Sequence, residues 1–183
     1  MKKLIIISGV PGSGKSTFIK EHFTTDNAII ISRDEIRFGM LEDGEDYFAH
    51  EDEVWNEYVA QIKEAIKFGD KDIVLDATHL NESSRSRILL ALGKLTANVE
   101  VISLYVECSL ETCLDRNEQR EGRRFVPRGQ IRRMFFCATK PKLEEGFSKL
   151  YIYNSETNEL KEVVKIMTPV SWNFDIQYQN RRR

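Results

Sequence analysis

Residues 8–17 read SGVPGSGKST and follow directly on a run of apolar residues. Gly9, four further residues and then Gly14, Lys15 and Ser16 match the phosphate-loop pattern G-x-x-x-x-G-K-S/T. Glycines let successive backbone N–H groups turn toward an anion, and the helix after the loop adds its positive N-terminus. The sequence therefore predicts a strand, a phosphate-binding loop and a helix in succession.

The loop also predicts which side chains hold a nucleotide. Lys15 is expected to reach the β- and γ-phosphates of ATP, and the Ser16 hydroxyl is placed to bind Mg²⁺. The other residues expected to line the phosphate site are Gly9, Gly12, Ser13, Gly14 and Thr17. A switch GTPase shares this loop but also needs D-x-x-G and N-K-x-D motifs, and neither occurs in the chain.

Apolar runs alternate with amphipathic stretches along the chain. Continuous β-branched runs suit strands that are buried on both faces, and strand–helix alternation predicts an α/β fold with a central parallel sheet and helices on both sides. The predicted strands cover 3–8, 27–32, 72–77, 99–106 and 150–154. The predicted helices cover about 15–23, 33–40, 51–68, 82–96, 109–120 and 128–138.

Composition indicates one ordinary globular domain over residues 1–183, with a peripheral tail from about 158 to 183. Hydrophobic residues make up 41% and charged residues 31% of the chain, and the net charge is −2. We expect no membrane partner, because no apolar run is long enough to span a bilayer. Three cysteines without zinc spacing favour a cytoplasmic location.

Charge is unevenly distributed. Residues 42–57 contain eight acids and no Lys or Arg, and this run is interpreted as a solvated face. Residues 116–133 contain seven arginines against two acids. Part of this basic segment, about 116–128, is predicted to be a lid, whereas Arg128, Arg132 and Arg133 are interpreted as solvated.

Polar residues follow the predicted second strand in the stretch SRDEIR, 32–37. Asp34 is placed to accept the proton of an acceptor hydroxyl, and Arg37 is placed to hold an anion on that acceptor. An alternative is that Asp34 caps the helix and pairs with Arg37 at the surface. Spacing alone leaves both interpretations open.

The third strand ends in DATHLN, residues 76–81. Asp76 is expected to bind Ser16 or a water on Mg²⁺. Thr78 and Asn81 are expected either to line the acceptor groove or to cap the following helix, and capping is the simpler interpretation.

Two arginines of the predicted lid are expected to be functional, Arg120 in catalysis and Arg116 in cofactor binding. Arg116 and Arg120 are four residues apart, which would place them on one face of a helix. Arg123 and Arg124 follow Gly122 on a predicted mobile loop. Arginines on a closing lid can stabilise the charge on a phosphoryl group in transfer.

The motifs GVPGSGKST, SRDEIR, DATHLN and RNEQR with a following VP occur in this order. Together they resemble the 5′-polynucleotide kinase domain of phage end-healing enzymes, over about residues 1–140. The R-D-x-x-R and R-N-x-x-R elements are more specific than the phosphate loop. The D-x-D-G-T motif of the associated phosphatase domain does not occur, so 3′-phosphatase activity is not expected.

The resemblance implies a role for each matching residue. Lys15 and Ser16 would hold ATP and Mg²⁺, and Asp34 would be the general base. Arg37 would bind the phosphate on the 3′ side of the acceptor nucleotide. Arg120 would clamp the transferring phosphoryl group, and Arg116 would lie near the nucleotide donor. Val126 would contact the terminal base.

The predicted function is therefore ATP-dependent phosphorylation of 5′-hydroxyl ends of DNA or RNA before ligation. One alternative is a small-molecule kinase of the same fold, acting on a sugar, nucleoside or antibiotic. Another is a nucleotide-dependent binding module without phosphoryl transfer. Arg37 favours the first, because an acceptor without its own phosphate has little use for an arginine at that position.

Overall fold

The computed structural model describes residues 1–164, and all elements named below lie in that range. The strands are β1 (Lys3–Ser8), β2 (Ala28–Ser32), β3 (Asp72–Asp76), β4 (Glu100–Glu107), β5 (Lys149–Asn154) and β6 (Glu159–Glu162). The α-helices are α1 (Lys15–His22), α2 (Arg33–Met40), α3 (Glu51–Phe68), α4 (Glu82–Leu92), α5 (Leu110–Glu118) and α6 (Arg128–Cys137).

The six strands form one sheet in the order β2-β3-β1-β4-β5-β6. The pairings among β1 to β5 are parallel, and β6 is antiparallel to β5. The predicted α/β fold is confirmed, and its central sheet is parallel except for β6. The carboxyl ends of parallel strands lie at one edge of a sheet, so the polar residues after β1, β2 and β3 are brought together there.

Side chains of β1 alternate between two hydrophobic clusters. Leu4 and Ile6 pack in the cluster covered by α3 and α4, whereas Ile5 and Ile7 pack in the cluster under Phe18 of α1. Burial of both faces explains why the strand reads as a continuous apolar run. A third cluster joins α5 and α6 to the phosphate loop through Val10, Cys108, Cys113, Leu114 and Ile131.

The loop after β3 is anchored by a buried ion pair. Arg85 of α4 donates to both carboxylate oxygens of Glu145, at 2.7 and 2.8 Å, and both side chains are almost fully buried. The same guanidinium donates to the carbonyl oxygens of His79 and Thr139. Because a buried charge is costly unless paired, this arrangement holds the loop after β3 against the segment after α6.

Predicted elements and observed elements differ mainly at their ends. The fourth predicted helix ends at Leu92, and residues 93–98 form a 3-10 turn. Residues 159–162, in the predicted peripheral tail, form an edge strand. The rest of the predicted tail, 165–183, lies outside the described residues. Within residues 1–164 no helix has both the length and the apolar character needed to cross a membrane.

Candidate active site

The phosphate loop has a backbone that requires glycine. Gly12 has φ 87°, and a Cβ there would come within 2.3 Å of the Cys113 carbonyl oxygen. Gly14, at φ 102°, is the N-cap of α1, and no side chain caps the helix at this end. The buried hydroxyl of Ser13 has no hydrogen-bond partner among the described residues. A loop with uncapped helix N–H groups and an unpaired hydroxyl fits a bound phosphate chain.

Lys15 lies inside the loop. Its Nζ donates to the carbonyl oxygens of Gly9 and Val10 at 2.9 and 3.0 Å. Burial lowers the pKa of Lys15 to about 8, opposed by the negative charge of Asp76 and assisted by the positive charge of Arg120. The ammonium is therefore held at the centre of the site with few compensating charges, which favours an anionic ligand.

Ser16 and Asp76 lie together, as the sequence predicts. The Ser16 hydroxyl donates to Oδ2 of Asp76 at 3.3 Å. Burial raises the pKa of Asp76, and the positive charge of Lys15 opposes this shift. A hydroxyl and a carboxylate beside a phosphate loop are oxygen ligands of the kind Mg²⁺ prefers, so these residues fit the metal.

A second group of site residues surrounds Asp34, at the start of α2. Its side chain is 59% exposed, and Oδ1 accepts hydrogen bonds from Arg37 at 3.0 Å and from the Tyr47 hydroxyl at 2.8 Å. The alternative in which Asp34 caps the helix is wrong. The N-cap of α2 is Ser32, whose hydroxyl accepts from the backbone N–H of Glu35.

Arg37 is buried, so it is not a surface partner of Asp34. Its side chain is 6% exposed, and it also donates to Tyr47 at 2.9 Å and to Glu51. Its guanidinium carbon lies 4.4 Å from the centre of the Tyr47 ring. The interpretation of residues 42–57 as a solvated face is therefore wrong at Glu51, which faces inward onto Arg37. Tyr47 and Glu51 were not predicted as site residues, because nothing in the local sequence shows that their segment folds back on α2.

Arg116 and Arg120 do not share a helix face. Helix α5 ends at Glu118, so Arg120 lies beyond it. The chain turns back because the Asn117 side chain donates to the Val126 carbonyl and accepts from the Val126 N–H, at 2.7 and 3.1 Å. Val126 itself packs against the third hydrophobic cluster.

The two arginines consequently reach different parts of the site. Arg116 donates to the hydroxyl and the carbonyl of Ser155 at 2.8 and 3.2 Å, and lies 3.5 Å from the Ser13 carbonyl oxygen. Burial lowers the pKa of Arg120, opposed by the negative charges of Asp34 and Asp76. Among residues 1–164 the Arg120 guanidinium makes no hydrogen bond, so its donors remain available for a ligand.

The rest of the predicted lid contacts α2 and the residues that follow it. Arg123 donates to the carbonyl oxygens of Leu41 and Glu42 at 3.2 and 2.8 Å, and Arg124 pairs with Glu35. These contacts hold the short turn Gly122–Arg124 over the side of the site that contains Asp34.

Two residues after β3 have structural contacts. Asn81 caps α4 through a capping box with Ser84, as the simpler interpretation predicted. The Thr78 carbonyl oxygen accepts from the Gly9 N–H at 2.9 Å, which joins this segment to the phosphate loop. The Thr78 side chain is partly exposed beside the loop.

A cavity of about 200 Å³ lies behind the phosphate loop. It is lined by Gly14, Thr17, Phe18, Glu21, Arg116, Tyr153, Ser155 and Asn158. Its position beside the helix N-terminus suits the nucleoside of a bound nucleotide, and Arg116 forms one wall. The sequence analysis did not single out Tyr153 or Ser155, although ligands in such sheets bind beyond the strand ends, where β5 stops.

One family of known proteins matches most of this chain. The sequence profile of the family AAA_33, described as an AAA domain, matches residues 4–141. That range contains the phosphate loop, Asp34, Asp76 and residues 116–128, the predicted lid.

Solved structures of several proteins share the fold. A chain of the Pnkp1/Rnl/Hen1 RNA repair complex is 21% identical, with TM-score 0.64, over 93% of this chain and 50% of that chain. This chain thus spans about half the length of that relative. A gluconokinase from Sinorhizobium meliloti is 19% identical, with TM-score 0.52, over 83% of this chain and 82% of that chain. Kti12 of Chaetomium thermophilum in complex with ADP-AlF3 is 16% identical, with TM-score 0.58, over 85% of this chain and 91% of that chain.

Proposed function

Because this chain belongs to the AAA domain family and has a P-loop kinase-like fold, we propose that it is an ATP-dependent polynucleotide 5′-hydroxyl kinase. It transfers the γ-phosphate of ATP to the 5′-hydroxyl of a DNA or RNA end. Ends prepared in this way are substrates for ligation, which places the reaction in end repair. The similar chain in the Pnkp1/Rnl/Hen1 RNA repair complex supports this role.

One observation carries the proposal: the charge of Asp34 acts on the groups of the phosphate site, and the same carboxylate binds a buried arginine. Its charge interacts with those of Lys15, Asp76 and Arg120. It also accepts a hydrogen bond from Arg37. A hydroxyl bound beside Asp34 would then have both the phosphoryl donor and a cation nearby. This arrangement suits an acceptor that carries its own phosphate.

The chemistry assigned to each residue follows from its position. Asp34 accepts the hydroxyl proton as the new O–P bond forms and the bond to ADP breaks. Lys15 and Arg120 stabilise the negative charge on the transferring phosphoryl group. Ser16 and Asp76 would hold Mg²⁺, which supplies charge neutralisation on the phosphates. Arg116 and the cavity behind the loop bind the nucleoside of ATP.

The test is a panel of acceptors with labelled ATP. The panel contains 5′-hydroxyl DNA and RNA oligonucleotides, 3′-mononucleotides, nucleosides and sugars that include gluconate. We expect label on oligonucleotides and 3′-mononucleotides and little on nucleosides or sugars. Equal labelling of nucleosides and 3′-mononucleotides would contradict the nucleic-acid assignment. ATP binding with no acceptor-dependent turnover would instead indicate a binding module.

A small-molecule kinase is the second candidate, and one contact favours it. Glu51 and Asp34 both accept hydrogen bonds from Arg37, so two carboxylates already neutralise this guanidinium. A neutral acceptor such as a sugar would leave this network undisturbed, whereas a phosphate must compete with Glu51. The likeness to a gluconokinase supports the same candidate. Preferential labelling of a sugar in the panel would select it.

A further inference from the structure

Beyond Arg37, an arginine and a tryptophan form a stack that no step above uses. The guanidinium carbon of Arg87, on α4, lies 3.8 Å from the centre of the Trp55 ring of α3. Arg33, at the start of α2, lies over the same ring at 5.7 Å. Three helices therefore meet at one indole, which holds two cations close together.

The stack leaves the hydrogen-bonding edge of Arg87 free. A cation–π contact uses the flat face of the guanidinium, whereas its N–H groups point outward in the plane. Among residues 1–164, Arg87 makes no hydrogen bond and no ion pair, and the residue is exposed. Stacking on Trp55 already restricts the Arg87 side chain. Binding a ligand through the N–H groups of this planar guanidinium therefore costs less conformational entropy.

This stack is connected to the acceptor side of the active site. Glu51 pairs with Arg37 and also with Arg33, and Arg33 lies over Trp55. Glu51 and Trp55 are four residues apart on α3, which is one helical turn, or about 6 Å. The Nε of Arg33 is buried and has no hydrogen-bond partner in the part of the chain that the structure describes. A continuous set of contacts thus leads from Arg37 outward to Arg87.

An exposed aromatic ring lies at the Arg37 end of this path. Phe48 is 59% exposed, and the guanidinium carbon of Arg37 lies 5.8 Å from its ring centre. The Tyr47 ring supports it edge-on, with the centroids 4.9 Å apart. Proteins that bind single strands commonly combine such aromatic rings with arginines that contact the backbone.

We propose that Phe48 and the Arg87–Trp55 stack form a binding site for the second nucleotide of a single-stranded acceptor. Phe48 stacks on a base, and the edge of Arg87 binds the phosphate that follows the one held at Arg37. This inference rests on the proposed function and deepens it, because a site for a second nucleotide distinguishes a strand from a mononucleotide.

The experiment measures binding and turnover separately. Anisotropy of a 3′-fluorescein-labelled, 5′-hydroxyl oligonucleotide reports binding, and KM is measured for that oligonucleotide and for a 3′-mononucleotide. Arg87→Ala should weaken oligonucleotide binding about 5-fold and lower the slope of log K against log salt by about 0.7, the loss of one phosphate contact. KM for the 3′-mononucleotide should stay unchanged. Phe48→Leu should weaken oligonucleotide binding about 5-fold or more, without the change in salt slope.

Matched controls are Arg132→Ala and Phe136→Leu, which remove an exposed arginine and an exposed phenylalanine on α6. Both should leave oligonucleotide binding unchanged. An Arg87→Ala effect that is absent, or equal for oligonucleotide and mononucleotide, overturns the second-nucleotide site while leaving the kinase assignment intact. A wild-type protein that neither binds nor phosphorylates oligonucleotides overturns both.

Discussion

The Tyr47 hydroxyl and the Arg37 guanidinium both donate to Oδ1 of Asp34, at 2.8 and 3.0 Å. Within residues 1–164, Oδ2 of Asp34 accepts no hydrogen bond, so it is the oxygen expected to take the acceptor proton. Burial, with the nearby charge of Asp34, raises the pKa of Tyr47 to about 12. Tyr47 therefore remains a donor at neutral pH and orients the carboxylate.

Tyr47→Phe should lower kcat about 5- to 30-fold, the effect of losing about 1–2 kcal/mol of hydrogen bonding to a charged group. KM for ATP should not change, because the phosphate loop is untouched and the ring stays over Arg37. Steady-state kinetics test this. Tyr151→Phe on β5 is the matched control and should be silent. An unchanged kcat in Tyr47→Phe would show that Asp34 does not depend on this contact.

Lys15→Met should abolish turnover and stabilise the fold at neutral pH. Burial lowers the pKa of Lys15 from 10.5 in the unfolded chain to about 8, so keeping it charged costs stability at pH 7. We expect a free energy of unfolding higher by about 1–3 kcal/mol at pH 7, and a gain that shrinks as the pH rises from 8 toward 10.5.

Urea unfolding at neutral and alkaline pH checks the Lys15 prediction. Lys20→Met removes an exposed lysine from the same helix and should change neither stability nor turnover. Retained turnover in Lys15→Met would end the kinase assignment. A variant less stable than wild type at pH 7 would show that the hydrogen bonds to Gly9 and Val10 outweigh the cost of burial.

Asp34→Asn and Arg37→Ala should affect different kinetic constants. Asparagine keeps the shape of Asp34 but takes no proton, so kcat should fall about 10²-fold or more while acceptor binding survives. Arg37→Ala should mainly raise KM, most for a 3′-mononucleotide and least for a nucleoside. Thermal unfolding of Arg37→Ala and Arg37→Lys shows how far losing the contact to Glu51 destabilises the fold. This separates a loss of stability from the effect on KM. Equal KM effects on all acceptors would contradict phosphate binding by Arg37.

Arg120→Ala should lower kcat about 10²-fold or more with little change in ATP affinity, because the residue acts on charge that develops during transfer. Isothermal titration of ATP and single-turnover kinetics distinguish the two effects. Arg132→Ala, on the exposed side of α6, is the control. If ATP affinity fell strongly while kcat stayed unchanged, Arg120 would be a ground-state binding residue.

The short-range features of this protein could be predicted from its sequence. The apolar runs placed the five parallel strands within a residue or two, because strands buried on both faces tolerate no polar alternation. The G-x-x-x-x-G-K-S motif predicted the loop because its backbone has positive φ values that only glycine adopts easily. The polar residues at the strand ends, Asp34 and Asp76, followed from the topology of a parallel sheet.

Only the tertiary structure decided which distant side chains meet. Glu51 lies 14 positions from Arg37, and the sequence of its segment is typical of a solvated acidic run. In the folded protein its carboxylate lies against the Arg37 guanidinium. Arg116 and Arg120 have helical spacing, but the Asn117–Val126 contact ends the helix between them. Local patterns record the burial and backbone geometry of single elements. Pairing of buried charges depends on how separate elements pack, and no local pattern carries that information.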